Sequence, residues 1–219
     1  MTAEHRPSAV AVTPTQDGDI RARWGWVEPT VWTDRMLTAL ETGVKGGQWF
    51  SLIDKMWSEK ALDAAWERVR ANAGSSGVDG QTVHRFAARA AEHVRRLNAE
   101  LRADRYRPLA VRRRWLPKPG RREKRPLGIP TVRDRVVQTA LRAVLEPIFD
   151  RLFAAGSYGF RPGRGCKDAL RAVARLLKAG YTWVVDADLQ SYFDTIPHER
   201  LMALVAEQVA DGRLLALLR

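Results

Sequence analysis

Cysteine is almost absent from this 219-residue sequence. The lone Cys166 excludes an intramolecular disulfide and a cysteine-based zinc site, and a buried or inert thiol is expected there. Histidine is also scarce: His5, His84, His93 and His198 lie scattered without metal-ligand spacing, so no histidine metal site is expected. No run of about 18 apolar residues offers a membrane span, and the N-terminus lacks the apolar segment of a secretory signal. Bacterial cytosol or nucleoid is therefore the expected location, with no membrane partner. Acids are in deficit, 25 against 37 Lys and Arg, which leaves a net charge of +12. That imbalance favours a polyanionic partner. A 45% hydrophobic share is still enough for a real core.

Residues 1–23 mix Pro, Thr, Ser and small residues without period and are expected to form a disordered leader, with order beginning near Trp24. Residues 24–103 read as a helical extension. A helix is expected from about Glu28 to Leu40, with Pro29 in its first turn and Gly43 as a stop. Helical spacing then appears twice between Gln48 and Gly74, carrying Trp49, Trp57 and Trp66 on the same stripe as the aliphatics, which makes them core anchors. After the loop GSSGVDG, one helix is expected from about Thr82 to Ala103.

Composition changes after Asp104. Between Arg105 and Arg125 ten basic residues face one acid, Glu123. The string VRRRWLPKPGRREKRPLGIP has two apolar runs joined by KPGRREK, and reads as a two-stranded ribbon with a basic turn, a good grip for phosphates. A helix is expected from Arg133 to about Phe153, broken or re-registered at Pro147. The Gly- and Pro-rich turn SYGFRPGRG follows, then a helix to about Lys178. Next comes YTWVVDADLQSYFDTIPHERL. Its Tyr181–Val185 run is aromatic and β-branched, as in a buried strand, and it exits into Asp186 and Asp188. Residues two apart share a face of a strand, so the two carboxylates repel unless a cation, a basic side chain, a raised pKa or open solvent relieves them. Asp194 also reads as a cap for the next helix.

Four pieces in order, GVDGQTV, the stretch YRPLAVRRRWLPKPGRREKRPLGIPTVRDRVVQTALRAVLEPIF, SYGFRPGRGCKDAL and VVDADLQSYFDTIPHERL, resemble the reverse transcriptase domain of group II intron-encoded proteins, the maturases. The resemblance covers roughly residues 46–205. It implies an α+β, helix-rich fold: a helical N-terminal extension, fingers over 104–180, and the first strand and helix of a right-hand polymerase palm over 181–219. It implies that Asp188 is a catalytic metal-binding aspartate, with the Leu189 carbonyl as a second ligand, because two Mg²⁺ ions in phosphoryl transfer need oxygen donors. Phe193 matches the aromatic under the incoming sugar, which excludes a 2′ hydroxyl by bulk; its other reading is a core phenylalanine. Lys118 and Arg125 match residues that bind the nucleotide triphosphate. Arg112, Arg113, Arg114, Arg121 and Arg122 are expected against template backbone or solvent, and Arg161 and Arg164 by the template and nucleotide pocket. The implied partners are group II intron RNA and an RNA template with its DNA primer.

The sequence departs from the family in one large respect: it holds no Tyr-Ala-Asp-Asp turn, which supplies the remaining metal-binding carboxylates. The expectation is an N-terminal fragment, inactive alone, of an RNA-directed DNA polymerase with a maturase role in splicing and mobility, completed by a C-terminal half of the same enzyme. The rival expectation is a non-enzymatic intron-RNA-binding splicing factor or remnant. A hydrolase using Asp186 and Asp188 as an acid and base pair gives no account of the basic ribbon.

Overall fold

The computed structural model describes residues 19–117, 120 and 124–219. Most of the expected leader, and Lys118, Arg121 and Arg122, lie outside the described residues. Order starts earlier than Trp24. The Asp19 carboxylate accepts from the Arg21 amide at 2.9 Å and caps α1 (Ile20–Arg23), and the Arg23 guanidinium grips both oxygens of Glu41 at 2.9 and 2.8 Å.

Helix α2 (Asp34–Thr42) begins six residues later than the sequence suggests. Glu28 is committed to the turn before it, accepting from the Thr30 amide and hydroxyl at 3.2 and 2.9 Å and from Arg68 at 2.8 Å, so Thr33 becomes the cap. Gly43, at φ +93°, ends the helix in a conformation that side chains with a Cβ avoid. The two helical patterns that follow are α3 (Ile53–Trp57) and α4 (Glu59–Asn72), separated at Ser58, whose hydroxyl accepts from the Ala61 amide. The single helix expected over 82–103 is two, α5 (Val83–Ala87) and α6 (Ala90–Arg102). The Ala88 and Arg89 amides turn back onto His84 and Phe86 and close the first of them.

The basic ribbon is an antiparallel pair, β1 (Arg112–Pro117) and β2 (Lys124–Ile129). Helix α7 (Val132–Asp150) passes through Pro147 without a break. Proline removes the amide that would bond to Ala143 and so usually interrupts a helix. Here the buried Trp32 indole supplies the missing donor, 2.9 Å from the Ala143 carbonyl oxygen. Three helices follow: α8 (Cys166–Lys178), α9 (His198–Ala206) and α10 (Gly212–Leu218).

One hydrophobic core joins Trp32, Leu37, Leu62 and Trp66 from the N-terminal helices to Val136, Ala140, Val144 and Ile148 of α7, and to Val209 and Leu214 near the C-terminus. It therefore runs across the positions 103/104 and 180/181 where the sequence suggests boundaries. The C-terminal end is sewn in by backbone: Trp49 donates to Gln208 and Ala210 donates to Trp49, both at 2.7 Å. Asp211 caps two helices at once, accepting from Leu52 and Ile53 at the start of α3 and from Leu214 in α10. Trp66 is buried against Phe86, while Trp57 is half-buried beneath the Arg213 guanidinium, 4.3 Å from its ring centroid.

Two expectations are corrected. Residues 181–189 pair with no strand among the described residues, and Trp183 and Val185 are 95% and 93% exposed. A strand exists only through its neighbours' hydrogen bonds, and local propensity does not supply them. Cys166 is exposed rather than buried, at the first position of an α8 that buries none of its residues.

Candidate nucleic-acid and polymerase site

The hairpin register decides which basic side chains act together. Arg112 pairs with Ile129, Arg114 with Leu127 and Leu116 with Arg125, which places Arg112, Arg114 and Arg125 on one face with Arg114 and Arg125 as diagonal neighbours. Arg113, Trp115 and Lys124 share the other face. Arg113, Arg114 and Arg125 are exposed and Arg112 is half-buried. Both faces of the ribbon are thus cationic, and Trp115, 57% exposed, adds an aromatic surface to the second.

What aims the ribbon is a buried carboxylate at its base. Asp134, in the first turn of α7, accepts from the Tyr106 hydroxyl at 2.7 Å, the Leu109 amide at 3.1 Å and the Thr131 hydroxyl at 2.6 Å. Leu109 precedes β1 and Thr131 follows β2, so a single side chain holds both ends of the hairpin to the helix. Burial, with the bond to Asp134, pushes the Tyr106 phenol well above its ordinary range. The GVDG loop braces the same point. A Cβ on Gly77 would lie 2.6 Å from the Thr131 Cα, so only glycine permits that approach. Sequence reasoning missed Asp134, although the Thr-x-x-Asp spacing of a helix cap at Thr131 was there to find it.

Arg161 is placed differently from expectation. Its guanidinium lies against Asp150, bonding both carboxylate oxygens and the carbonyl, and its remaining nitrogen donates to Ala154 and Ser157. These bonds use all the donors of the fork. Arg161 therefore folds the turn after α7, buried and with its donors committed within the chain. The turn projects Phe160, fully exposed at φ +55°. Arg164 is exposed, donates to Ala155 at 2.7 Å and lies 5.9 Å from the Tyr158 ring centroid.

The acids lie in the exposed segment after α8. Asp186, Asp188 and Asp194 are all exposed, and Leu189 is 70% exposed. Both Asp186 and Asp188 are open to solvent. Ser191, in a left-handed conformation, precedes a single 3-10 turn at Tyr192–Asp194. The cap of α9 is Pro197, not Asp194. Phe193 is 84% exposed and touches the Tyr192 ring edge-on, so it is not a core residue. Among the described residues no group of three or more His, Cys, Asp or Glu side chains is placed to hold a metal. By themselves these residues do not fit a pair of Mg²⁺ ions, which need more oxygen donors than Asp188 and one carbonyl provide.

Comparison with known proteins joins these parts. A family model described as reverse transcriptase (RNA-dependent DNA polymerase) matches residues 116–215, from the end of β1 into α10. Protein YkfC of Escherichia coli is 43% identical over 150 residues, covering 67% of this chain and 39% of that protein. The group II intron-encoded protein LtrA of Lactococcus lactis is 34% identical over 152 residues, covering 68% of this chain and 25% of its own length. An uncharacterized 91 kDa protein in the cob intron of Schizosaccharomyces pombe is 47% identical over 96 residues, 44% of this chain and 12% of that protein. The chain thus aligns with between an eighth and two fifths of the length of these relatives.

Proposed function

Because the chain belongs to the group II intron-encoded reverse transcriptases and maturases, we propose that the protein it represents is an RNA-directed DNA polymerase that also assists splicing and mobility of its intron RNA. The observation that carries this reading is the continuity of the family match from the cationic hairpin to the Asp188 segment. In this proposal Arg113, Arg114 and Arg125 contact nucleic-acid or nucleotide phosphates, as do Lys118, Arg121 and Arg122 between the strands. Arginine suits the task because its planar fork holds two phosphate oxygens.

Asp188 and the Leu189 carbonyl are proposed as Mg²⁺ ligands in a complete polymerase, with further carboxylates supplied by the rest of its palm. The exposed apolar residues support that view. Leu170, Val173 and Leu177 of α8, and separately Trp183 and Val185, are exposed apolar side chains of the kind that the rest of a palm would cover. The domains proposed are those of the family: helical extension, fingers and the beginning of a palm. The bacterial cytosol or nucleoid suits a protein acting on intron RNA, and no helix among the described residues is long and apolar enough to cross a membrane.

The test is primer extension. The chain combined with a polypeptide that supplies the rest of a palm and a thumb should extend a DNA primer on an RNA template in Mg²⁺. Tight binding of intron RNA without extension would instead favour a splicing factor that has no polymerase activity.

A further inference from the structure

Beneath the hairpin lies a second basic feature, distinct from the ribbon. A cleft of about 440 Å³ is lined by Arg96, Ala99, Glu100, Arg105, Arg107 and Arg133. Four guanidinium groups meet one carboxylate there. Glu100 accepts from Arg96 at 2.9 Å and from Arg133 at 2.7 Å, which leaves a local excess of three positive charges. Neighbouring acids reduce it without cancelling it. Asp134, 3.8 Å from Arg133, lowers the formal excess to two. Asp104 is paired with Arg213. Among the described residues Arg107 donates to the main-chain carbonyls of Asp104 and Tyr106, which are neutral partners.

We propose that this cleft binds the phosphodiester backbone of single-stranded RNA as the strand leaves the base of the hairpin. The inference rests on the nucleic-acid reading above and adds a site to it. Three features carry the assignment. Like charges concentrated in a concave wall repel one another, and bound phosphates relieve that repulsion while releasing counterions. Arg105 and Arg107 stand on the segment entering β1 and Arg133 on the first turn of α7 just past β2, so the cleft continues the cationic track at the point where both strands of the ribbon are anchored. Finally, the floor is rigid. Arg133 is held by Glu100 and lies over the Tyr106 ring, 5.1 Å from its centroid, while Arg96, Arg105 and Arg107 are exposed.

The experiment measures binding of the chain to a labelled single-stranded RNA across a salt series. The triple variant Arg96→Gln, Arg105→Gln, Arg107→Gln should lower the slope of log affinity against log salt by about 2, at about 0.7 for each single-strand phosphate that is no longer neutralised. Glu100→Gln, which removes the one lining acid, should steepen the slope and tighten binding, a direction that damage to the fold does not produce. A hairpin variant, Arg113→Gln with Arg114→Gln, separates the two ideas. If it weakens RNA binding while the triple variant and Glu100→Gln change nothing, the cleft assignment is overturned and the nucleic-acid reading stands. If none of the variants alters binding, both fall. A nucleoside triphosphate titrated in parallel should bind the triple variant and the parent alike. Loss of triphosphate binding with RNA binding intact would overturn the assignment to RNA backbone.

Discussion

Trp32 occupies with its indole N–H the hydrogen-bonding place that Pro147 vacates, 2.9 Å from the Ala143 carbonyl oxygen and sealed from solvent. A residue 111 positions away in the chain thereby keeps α7 continuous through a proline. Trp32→Phe should preserve most of the packing and leave that carbonyl unpaired, at a cost of about 1–3 kcal/mol in urea unfolding. In a Pro147→Ala background the restored amide can bond to Ala143 itself, so the same Trp32→Phe change should cost distinctly less. Equal costs in the two backgrounds would refute the coupling.

The contact between Gly77 and Thr131 gives a second expectation. Because the atom met by an added Cβ is backbone, 2.6 Å away, it cannot swing aside as a side-chain tip would. Gly77→Ala should destabilise by roughly 1–3 kcal/mol, read from a thermal or urea melt. It should also disturb the hairpin, whose base is anchored at Thr131. A melt indistinguishable from the parent would show that the loop yields freely.

Tyr106 makes the clamp sensitive to alkali. Its phenol is raised above the ordinary value of 10.0, chiefly by burial and then by the bond it donates to Asp134, so the folded state favours the protonated form. A group raised on folding contributes its full stabilisation below its unfolded pKa and loses it as pH climbs above that value. Stability should therefore fall more steeply above about pH 10 in the parent than in Tyr106→Phe, where nothing at that position titrates. Parallel slopes for the two proteins would mean that the phenol ionises without consequence for the fold.

Sequence period revealed the elements that hold themselves together and missed those that depend on distant partners. The ribbon, α4 and α8 are all written in local spacing, and Trp66 falls on the buried stripe of α4 that its aliphatic neighbours define. Trp66→Ala should cost about 3–5 kcal/mol on that account. Pro147 misled because its partner, Trp32, is remote in sequence. Arg161 read as a residue beside the template because residue type does not disclose whether a guanidinium will fold its own loop. At Tyr181–Val185 propensity was legible but the neighbouring strand was not, and the segment remains exposed. Asp211, with three amides from two helices, illustrates the same limit: its cap on α10 is local, and its cap on α3 is visible only in three dimensions.

The acids with which the palm segment begins can be tested in the complete protein. Asp188 is exposed without a ligating cluster among the described residues, so a metal role requires carboxylates from elsewhere. The 219-residue chain alone should give no primer extension on an RNA template in Mg²⁺, whereas a protein carrying the remaining palm and thumb should. That activity should vanish on Asp188→Asn, which keeps the shape of the side chain and removes the charge that holds cations. Phe193→Ala should behave differently. Its ring is 84% exposed here and is proposed to lie beneath the incoming sugar, so removing it should spare extension with deoxynucleotides while admitting ribonucleotides. The two variants thus separate charge from bulk at positions five residues apart. Extension that survives Asp188→Asn would refute the metal role, and unchanged discrimination in Phe193→Ala would refute the steric role of that ring.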